Sequence, residues 1–261
     1  MQLITRILEF FPYLASQAEL LHQIVNTEEP VLLTGPTGAG KSRLARLIHE
    51  NGLRFEQKCA SVNLAELSHN LFESELFGHK KGSFTNALND HVGLIEETSG
   101  GDLIIEDISE MPLELQAKFL RFQDEQTIRR IGSTQLRPVN VRLIMTTNRD
   151  LRQEVAAKRF RSDLYHRLVN GWHLALPPLS QVPAASLQKI LDNLIREMRQ
   201  KYQTVVTGKE RGSAVKNAIW IRTARASAPF KAYISNVCGV IKISIAYSLN
   251  WRYISSRVGF N

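Results

Sequence analysis

Apolar positions along the chain alternate between helix-like spacing and short continuous runs. Leu14, Ala18, Leu21 and Ile24 recur three to four apart, so residues 1–28 are expected to be helical, ending at Asn26-Thr27-Glu28-Glu29-Pro30. Val31-Leu32-Leu33-Thr34 then reads as a buried strand. Ser42 to His49 reads as an amphipathic helix, and Cys59 to Leu64 as a second strand. Leu103-Ile104-Ile105 is a third strand, and Val141 to Thr147 a fourth. Between those two, Met111 to Gln123 has helical spacing through Leu115, Phe119 and Phe122. Pro177-Pro178 breaks the pattern, and a last amphipathic helix runs from Leu187 to Tyr202 through Ile190, Leu191 and Leu194. Strands alternating with helices predict an α/β fold, a parallel sheet with helices on both faces.

The turn after the first strand carries the clearest chemistry. Gly35-Pro36-Thr37-Gly38-Ala39-Gly40-Lys41-Ser42 fits the P-loop pattern G-x-x-x-x-G-K-[ST] at every fixed position, between a strand and a helix. Backbone N–H groups and a helix N-terminus make an anion site there. Lys41 would reach the β- and γ-phosphates of ATP, and Ser42 would hold Mg²⁺. A second, acidic element is needed on a neighbouring strand. Leu103-Ile104-Ile105-Glu106-Asp107 supplies it, with Glu106 and Asp107 at the strand end for Mg²⁺ and water.

Composition narrows the partners. The 43% hydrophobic content of 261 residues supports a sizeable core, and no run of about 18 apolar residues suggests a membrane span. Two distant cysteines, Cys59 and Cys238, make neither a metal motif nor a disulfide framework, so a cytoplasmic location is expected. His79 and His91 lack the companions of a zinc site, and no G-x-S-x-G nucleophile motif occurs. The net charge of +8 is confined to the end: residues 211–261 hold eight basic and no acidic residues, while the remaining basic residues balance the 25 acidic ones. That stretch also lacks helical or strand periodicity. It reads either as a basic DNA-binding arm or as an end that is not native domain sequence, such as a frameshifted one.

Several motifs in order resemble the central AAA+ ATPase domain of sigma-54-dependent transcriptional activators, the bacterial enhancer-binding proteins. Glu73-Ser74-Glu75-Leu76-Phe77-Gly78-His79-Lys80-Lys81-Gly82-Ser83-Phe84-Thr85-Asn86-Ala87 resembles E-S-E-L-F-G-H-x-x-G-A-F-T-G-A. In that family the loop tip, here Gly82, Ser83, Phe84, Thr85, Asn86 and Ala87, contacts sigma-54. Ser99-Gly100-Gly101-Asp102-Leu103 is similar to the entry of the acidic strand, and Thr146 to Leu151 to A-T-N-R-D-L. The resemblance implies that Asn148 senses the γ-phosphate. Phe160 to Leu168 resembles F-R-E-D-L-Y-Y-R-L, which implies that Arg161 and Arg167 are arginine fingers acting on a neighbouring subunit's ATP. Leu176-Pro177-Pro178-Leu179 matches the hinge to a helical lid. The family's fold is a P-loop NTPase that self-assembles into a ring and remodels sigma-54 RNA polymerase by ATP hydrolysis.

The resemblance also predicts differences. The family's strand ends Asp-Glu, whereas here the order is Glu106-Asp107. Each carboxylate is displaced by about 1.5 Å, which can cost about 10²-fold in an in-line reaction. Asn86 stands where the family has glycine, and the lid motifs after Leu179 are absent, so the lid is expected to be incomplete. Neither a sensory domain before the loop nor a helix-turn-helix after it is expected, and DNA would be reached only indirectly. The expected organisation is a core over residues 1–178, a partial lid over 179–207 and a basic tail over 208–261. The alternative to an ATP-driven motor is a hydrolysis-impaired or truncated module acting by binding or co-assembly. A third possibility is a DNA-binding adaptor working through the tail.

Overall fold

A computed structural model describes residues 2–68, 71–85 and 87–206. The expected basic tail, like Asn86, lies outside the described residues. The chain opens with α1 (Gln2–Phe10), a 3-10 turn (Pro12–Gln17) and α2 (Ala18–Val25). The single helix expected over 1–28 is thus interrupted. Pro12 lacks the N–H that an α-helix would use and fixes its own φ, so it begins the new turn instead.

Then follow β1 (Val31–Thr34), α3 (Lys41–Glu50), β2 (Cys59–Asn63), α4 (Phe72–Phe77), β3 (Gly78–His79) and β4 (His91–Val92). Next come α5 (Leu94–Glu97), β5 (Asp102–Glu106), α6 (Leu113–Glu125), β6 (Thr127–Ile128) and β7 (Arg137–Pro138). The first unit closes with β8 (Arg142–Thr147), α7 (Leu151–Ala156), α8 (Ser162–Val169) and β9 (Trp172–Ala175). A second unit begins at Pro178 and contains α9 (Ala184–Val206), on which Leu187, Ile190, Leu191 and Leu194 are half-buried.

The main sheet has the order β2-β5-β8-β1-β9, with every neighbouring pair parallel. It contains one strand more than the four expected. β9 pairs with β1 in the register Val31 to Trp172 through Thr34 to Ala175. The three central strands, β5, β8 and β1, are buried on both faces, as expected within a parallel sheet. Leu32, Leu103, Ile105, Leu143 and Met145 join one core with Phe77, Phe119 and Phe122. α3 packs on β5 and β8 from the other side, where Ile104, Ile144, Leu44 and Ile48 are fully buried.

The opposite end of the sheet carries a buried polar cluster. Arg142 begins β8 with no side-chain exposure and donates from Nη2 to the Ile24 carbonyl at 2.6 Å. Its Nη1 lies 3.8 Å from Asp102, which begins β5 and also meets His49 Nδ1 at 2.9 Å. Burial pulls the Arg142 guanidinium below its usual range, and the Asp102 charge opposes that pull. Arg54 Nη1 donates to Gly101 O at 2.8 Å, and its Nη2 to Asn140 Oδ1 at 2.8 Å. The cluster ties α2 and α3 to the N-terminal ends of β5 and β8. Arg142→Met removes the counter-charge of Asp102 and leaves the Ile24 carbonyl without its donor. We expect a loss of about 3 kcal/mol, read as a lower urea midpoint with unchanged slope.

Candidate functional site

All five strands run parallel, so their C-terminal ends share one edge of the sheet, where α/β folds bind ligands. The 35–42 loop leaves β1 at that edge. Gly35 has φ +149°, and a Cβ there would come within 2.6 Å of the Leu176 carbonyl. Gly40 caps α3 at φ 92°, ψ 16°, a left-handed conformation that glycine adopts without strain. Lys41 is the first residue of α3 and is 8% exposed. Its Nζ donates to the carbonyls of Gly35 at 2.7 Å and Pro36 at 3.0 Å. Burial holds the ammonium below its ordinary range, while Asp107 and then Glu106 push it back up.

The Ser42 hydroxyl donates to Glu106 Oε2, and Ser61 Oγ donates to Glu106 Oε1 at 3.2 Å. Glu106 is therefore bound directly to the loop. Asp107 follows in a left-handed conformation, φ 56°, ψ 54°, and its N–H meets Thr146 Oγ1 at 3.4 Å. Asn148 leaves the end of β8 and donates from Nδ2 to Thr37 Oγ1 at 3.2 Å. The loop, the two carboxylates and the asparagine thus converge.

Arg161 and Arg167 are elsewhere, before and on α8. Arg161 donates Nη2 to Asp163 at 2.7 Å and Nε at 3.1 Å, and the Arg167 side chain, about half exposed, lies 3.5 Å from Asp124. Among the described residues neither is bonded to the 35–42 loop. The loop's cation within the same molecule is Lys41.

The Phe84 loop stands on its own hairpin, between β3 and β4. Gly82 N donates to Ala87 O at 2.8 Å and Ala87 N to Phe84 O at 3.0 Å, which closes the turn. Lys80 Nζ and Lys81 N both donate to Asp90, at 2.5 and 2.9 Å, across its base. Phe84 is 41% exposed, and Thr85 is exposed, while Ala87 is buried. The β6–β7 hairpin braces this loop: Ile131 N donates to Gly78 O at 2.9 Å, and Lys80 N to Ile131 O at 2.9 Å. Arg130 donates Nε and Nη2 to the two oxygens of Glu96 at 2.7 and 2.8 Å, and Arg137 adds a third bond at 2.9 Å.

A family model described as the Sigma-54 interaction domain matches residues 10–172. The chain belongs to this family. It is 46% identical over 168 residues to the DNA-binding transcriptional activator HyfR of Escherichia coli K12, covering 63% of this chain and 25% of that protein. It is 43% identical over 183 residues to a Nif-specific regulatory protein of Rhizobium leguminosarum bv. trifolii, covering 69% and 51%. Among solved structures it is similar to NtrX of Brucella abortus in complex with ATP. The TM-score is 0.56 and the identity 34%, covering 62% of this chain and 35% of that one. The chain spans between a quarter and a half of the length of the two curated relatives. The AAA+ P-loop architecture expected from the sequence is the one observed. No helix among the described residues is long and apolar enough to cross a membrane.

Three groups of this Sigma-54 interaction domain escaped the sequence reading. Ser61 and Thr146 contact the acidic pair, and β9 brings His173 Nε2 within 2.9 Å of Thr34 Oγ1, just before the loop. Burial, and then Arg152, hold the His173 imidazole below its usual range. The alternation of Trp172, Leu174 and Leu176 is the one signal that could have exposed β9. The Glu96 cluster yields a pH prediction. The Arg130 hydrogen bonds hold the Glu96 carboxyl below its ordinary range. Its contribution is therefore complete above the unfolded carboxylate value, near pH ~4.3, and is lost as pH falls through the depressed folded value. The Tm gap between the chain and Glu96→Gln should be present at pH 7 and should close below pH about 4. A gap undiminished at pH 3 would contradict the assignment.

Proposed function

We propose that this chain binds ATP with Mg²⁺ in the 35–42 loop and works, in the cytoplasm, as the ATP-driven module of a sigma-54-dependent transcription regulator. The observation that carries the reading is the convergence of Ser42 on Glu106 and of Asn148 on Thr37 at one sheet edge. The ATP complex of NtrX, a structure of similar fold and 34% identity, supports the choice of nucleotide.

The residues fit the metal as well as the nucleotide. Mg²⁺ is bound through one or two carboxylates, a hydroxyl and phosphate oxygens rather than by a dedicated protein cage. Ser42 and Glu106 offer such a hard-oxygen pair, with Asp107 next in the chain. The ion would neutralise charge on the phosphates. Gly35, Pro36, Thr37, Gly38, Ala39 and Gly40 would wrap the phosphates with backbone N–H groups. Lys41, now held by two loop carbonyls, would exchange them for phosphate oxygens. A partly desolvated ammonium gains more from such an anion than a solvated one does. Asp107 would orient the attacking water, and Asn148, tied to Thr37, would report the γ-phosphate to β8.

Arg161 and Arg167 are exposed and, among the described residues, their side chains pair with nearby carboxylates, which leaves them available to a neighbouring subunit. We assign them the trans role in a ring, where a guanidinium stabilises the phosphoryl-transfer transition state. The loop of Gly82, Ser83, Phe84, Thr85, Asn86 and Ala87, with Phe84 and Thr85 exposed, would contact sigma-54. Through it the ring would act on RNA polymerase, with DNA reached indirectly. A membrane has no part in this reading.

The Glu106-Asp107 order favours slow turnover rather than lost binding. Glu106 reaches Ser42, but Asp107 is one methylene short of the residue the family uses at its place. Steady-state ATPase assays test both statements. Lys41→Ala should abolish nucleotide binding. The double swap Glu106→Asp with Asp107→Glu should raise kcat, by up to about 10²-fold. Wild-type turnover no faster than that of Lys41→Ala would sink the motor reading. Arg161→Ala should lower turnover by about 10³-fold, and mixing with Lys41→Ala subunits, which keep their Arg161, should restore part of it.

A further inference from the structure

Phe84 is held at the loop tip by one ring contact. Its ring meets the His79 imidazole edge-to-face, at 4.8 Å between centroids with the planes at 67°. His79 is itself fixed from several directions. The buried Ser74 hydroxyl lies 2.8 Å from His79 Nδ1. The His91 ring stacks on it at 5.4 Å with a 31° tilt, as the β3–β4 register requires. His91 in turn faces Glu75 Oε1 at 3.9 Å, and the His79 backbone bridges to Ile131. The imidazole is thus a rigid platform, whereas Phe84 sits on an exposed turn with water on its other side.

We infer that His79 is the positioning residue for Phe84, fixing the exposed ring in the orientation that it presents to its partner. The inference rests on the reading that the Phe84 loop contacts sigma-54. An apolar side chain on a solvated turn samples several rotamers, and ordering it on binding costs affinity. A pre-formed edge-to-face pair favours one arrangement by about 2- to 12-fold. The contact requires a ring at position 79, and the Ser74 hydrogen bond alone would not supply it.

Two substitutions separate the ring from the hydrogen bond. His79→Asn keeps a polar group near Ser74 and removes the ring. His79→Phe keeps a ring and removes the polar group. With a single 4-fluorophenylalanine at position 84 of the full chain, the ¹⁹F resonance should move towards that of the free amino acid in His79→Asn. It should stay displaced in His79→Phe. An identical resonance in all three proteins would overturn the inference. Affinity for purified sigma-54 in the presence of ATP should fall about 2- to 12-fold in His79→Asn and recover in His79→Phe, with ATP binding intact in both. If Phe84→Ala weakens that complex and His79→Asn does not, the inference fails while the partner reading survives. If Phe84→Ala has no effect, the partner reading fails, and the ¹⁹F result alone decides the role of His79.

Discussion

The parallel register of β1, β5 and β8 is the constraint on which the candidate site depends. Thr34 lies opposite Thr147, and Ile105 opposite Met145. Gly35, Glu106 and Asn148 therefore leave the sheet at nearly the same level, although more than a hundred residues separate the first from the last. A slip of one residue in any pair would move the end of that strand by about 3.3 Å and turn its buried side chains to the opposite face. Ser42 could not then reach Glu106, nor Asn148 reach Thr37. Both faces of these strands are packed, and the fit of particular side chains against each face is what opposes the slip. The geometry of the candidate site is a by-product of strand register.

The charged groups at the two ends of the sheet follow one rule with different results. At the N-terminal ends, Arg142 and Asp102 are buried against each other, and Arg54 is spent on the Glu28 carboxylate and on carbonyls of the chain itself. Such groups tie segments together within the packed interior. At the C-terminal ends, Lys41 is also largely buried, yet two loop carbonyls are its hydrogen-bond acceptors. These are neutral partners, weaker than an anion. The site thus keeps a cation in reserve at the point where backbone N–H groups and a helix N-terminus already favour negative charge. The cost of burying Lys41 is partly offset by Asp107 and Glu106, the same carboxylates that would meet the metal.

What the sequence revealed depended on how local each signal was. The 35–42 loop was legible because its constraints are local: glycine where φ is positive, lysine at the first helical position, and an apolar strand before it. The Glu106-Asp107 pair was legible from the apolar run that precedes it. β9 was not, because its four residues acquire meaning only from β1, far away in the chain. The pairing of Arg142 with Asp102 was not legible, since nothing in a single sequence says that two distant charges are buried together. The break at Pro12 follows from proline's chemistry, although the apolar spacing over residues 1–28 is helical on both sides of it. The contact of Phe84 with His79 lay within a recognised motif, yet the motif alone did not say which residue supports which.

The reversed acidic pair can be understood from the backbone it occupies. Asp107 turns the chain out of β5 with φ 56°, ψ 54°. Aspartate accepts this region more readily than longer side chains do, because its short carboxylate can bond locally. Glutamate at 107 would reach farther towards an attacking water but would hold this turn at greater cost. Glutamate at 106 spans the gap between Ser42 and Ser61, and its two oxygens meet both hydroxyls. The order Glu-Asp therefore gives a well-anchored carboxylate at 106 and a turn suited to aspartate, at the expense of reach at the second position. Under the proposed reading, that balance would favour nucleotide binding over rapid hydrolysis. It also separates two properties that a strand ending in Asp-Glu would join.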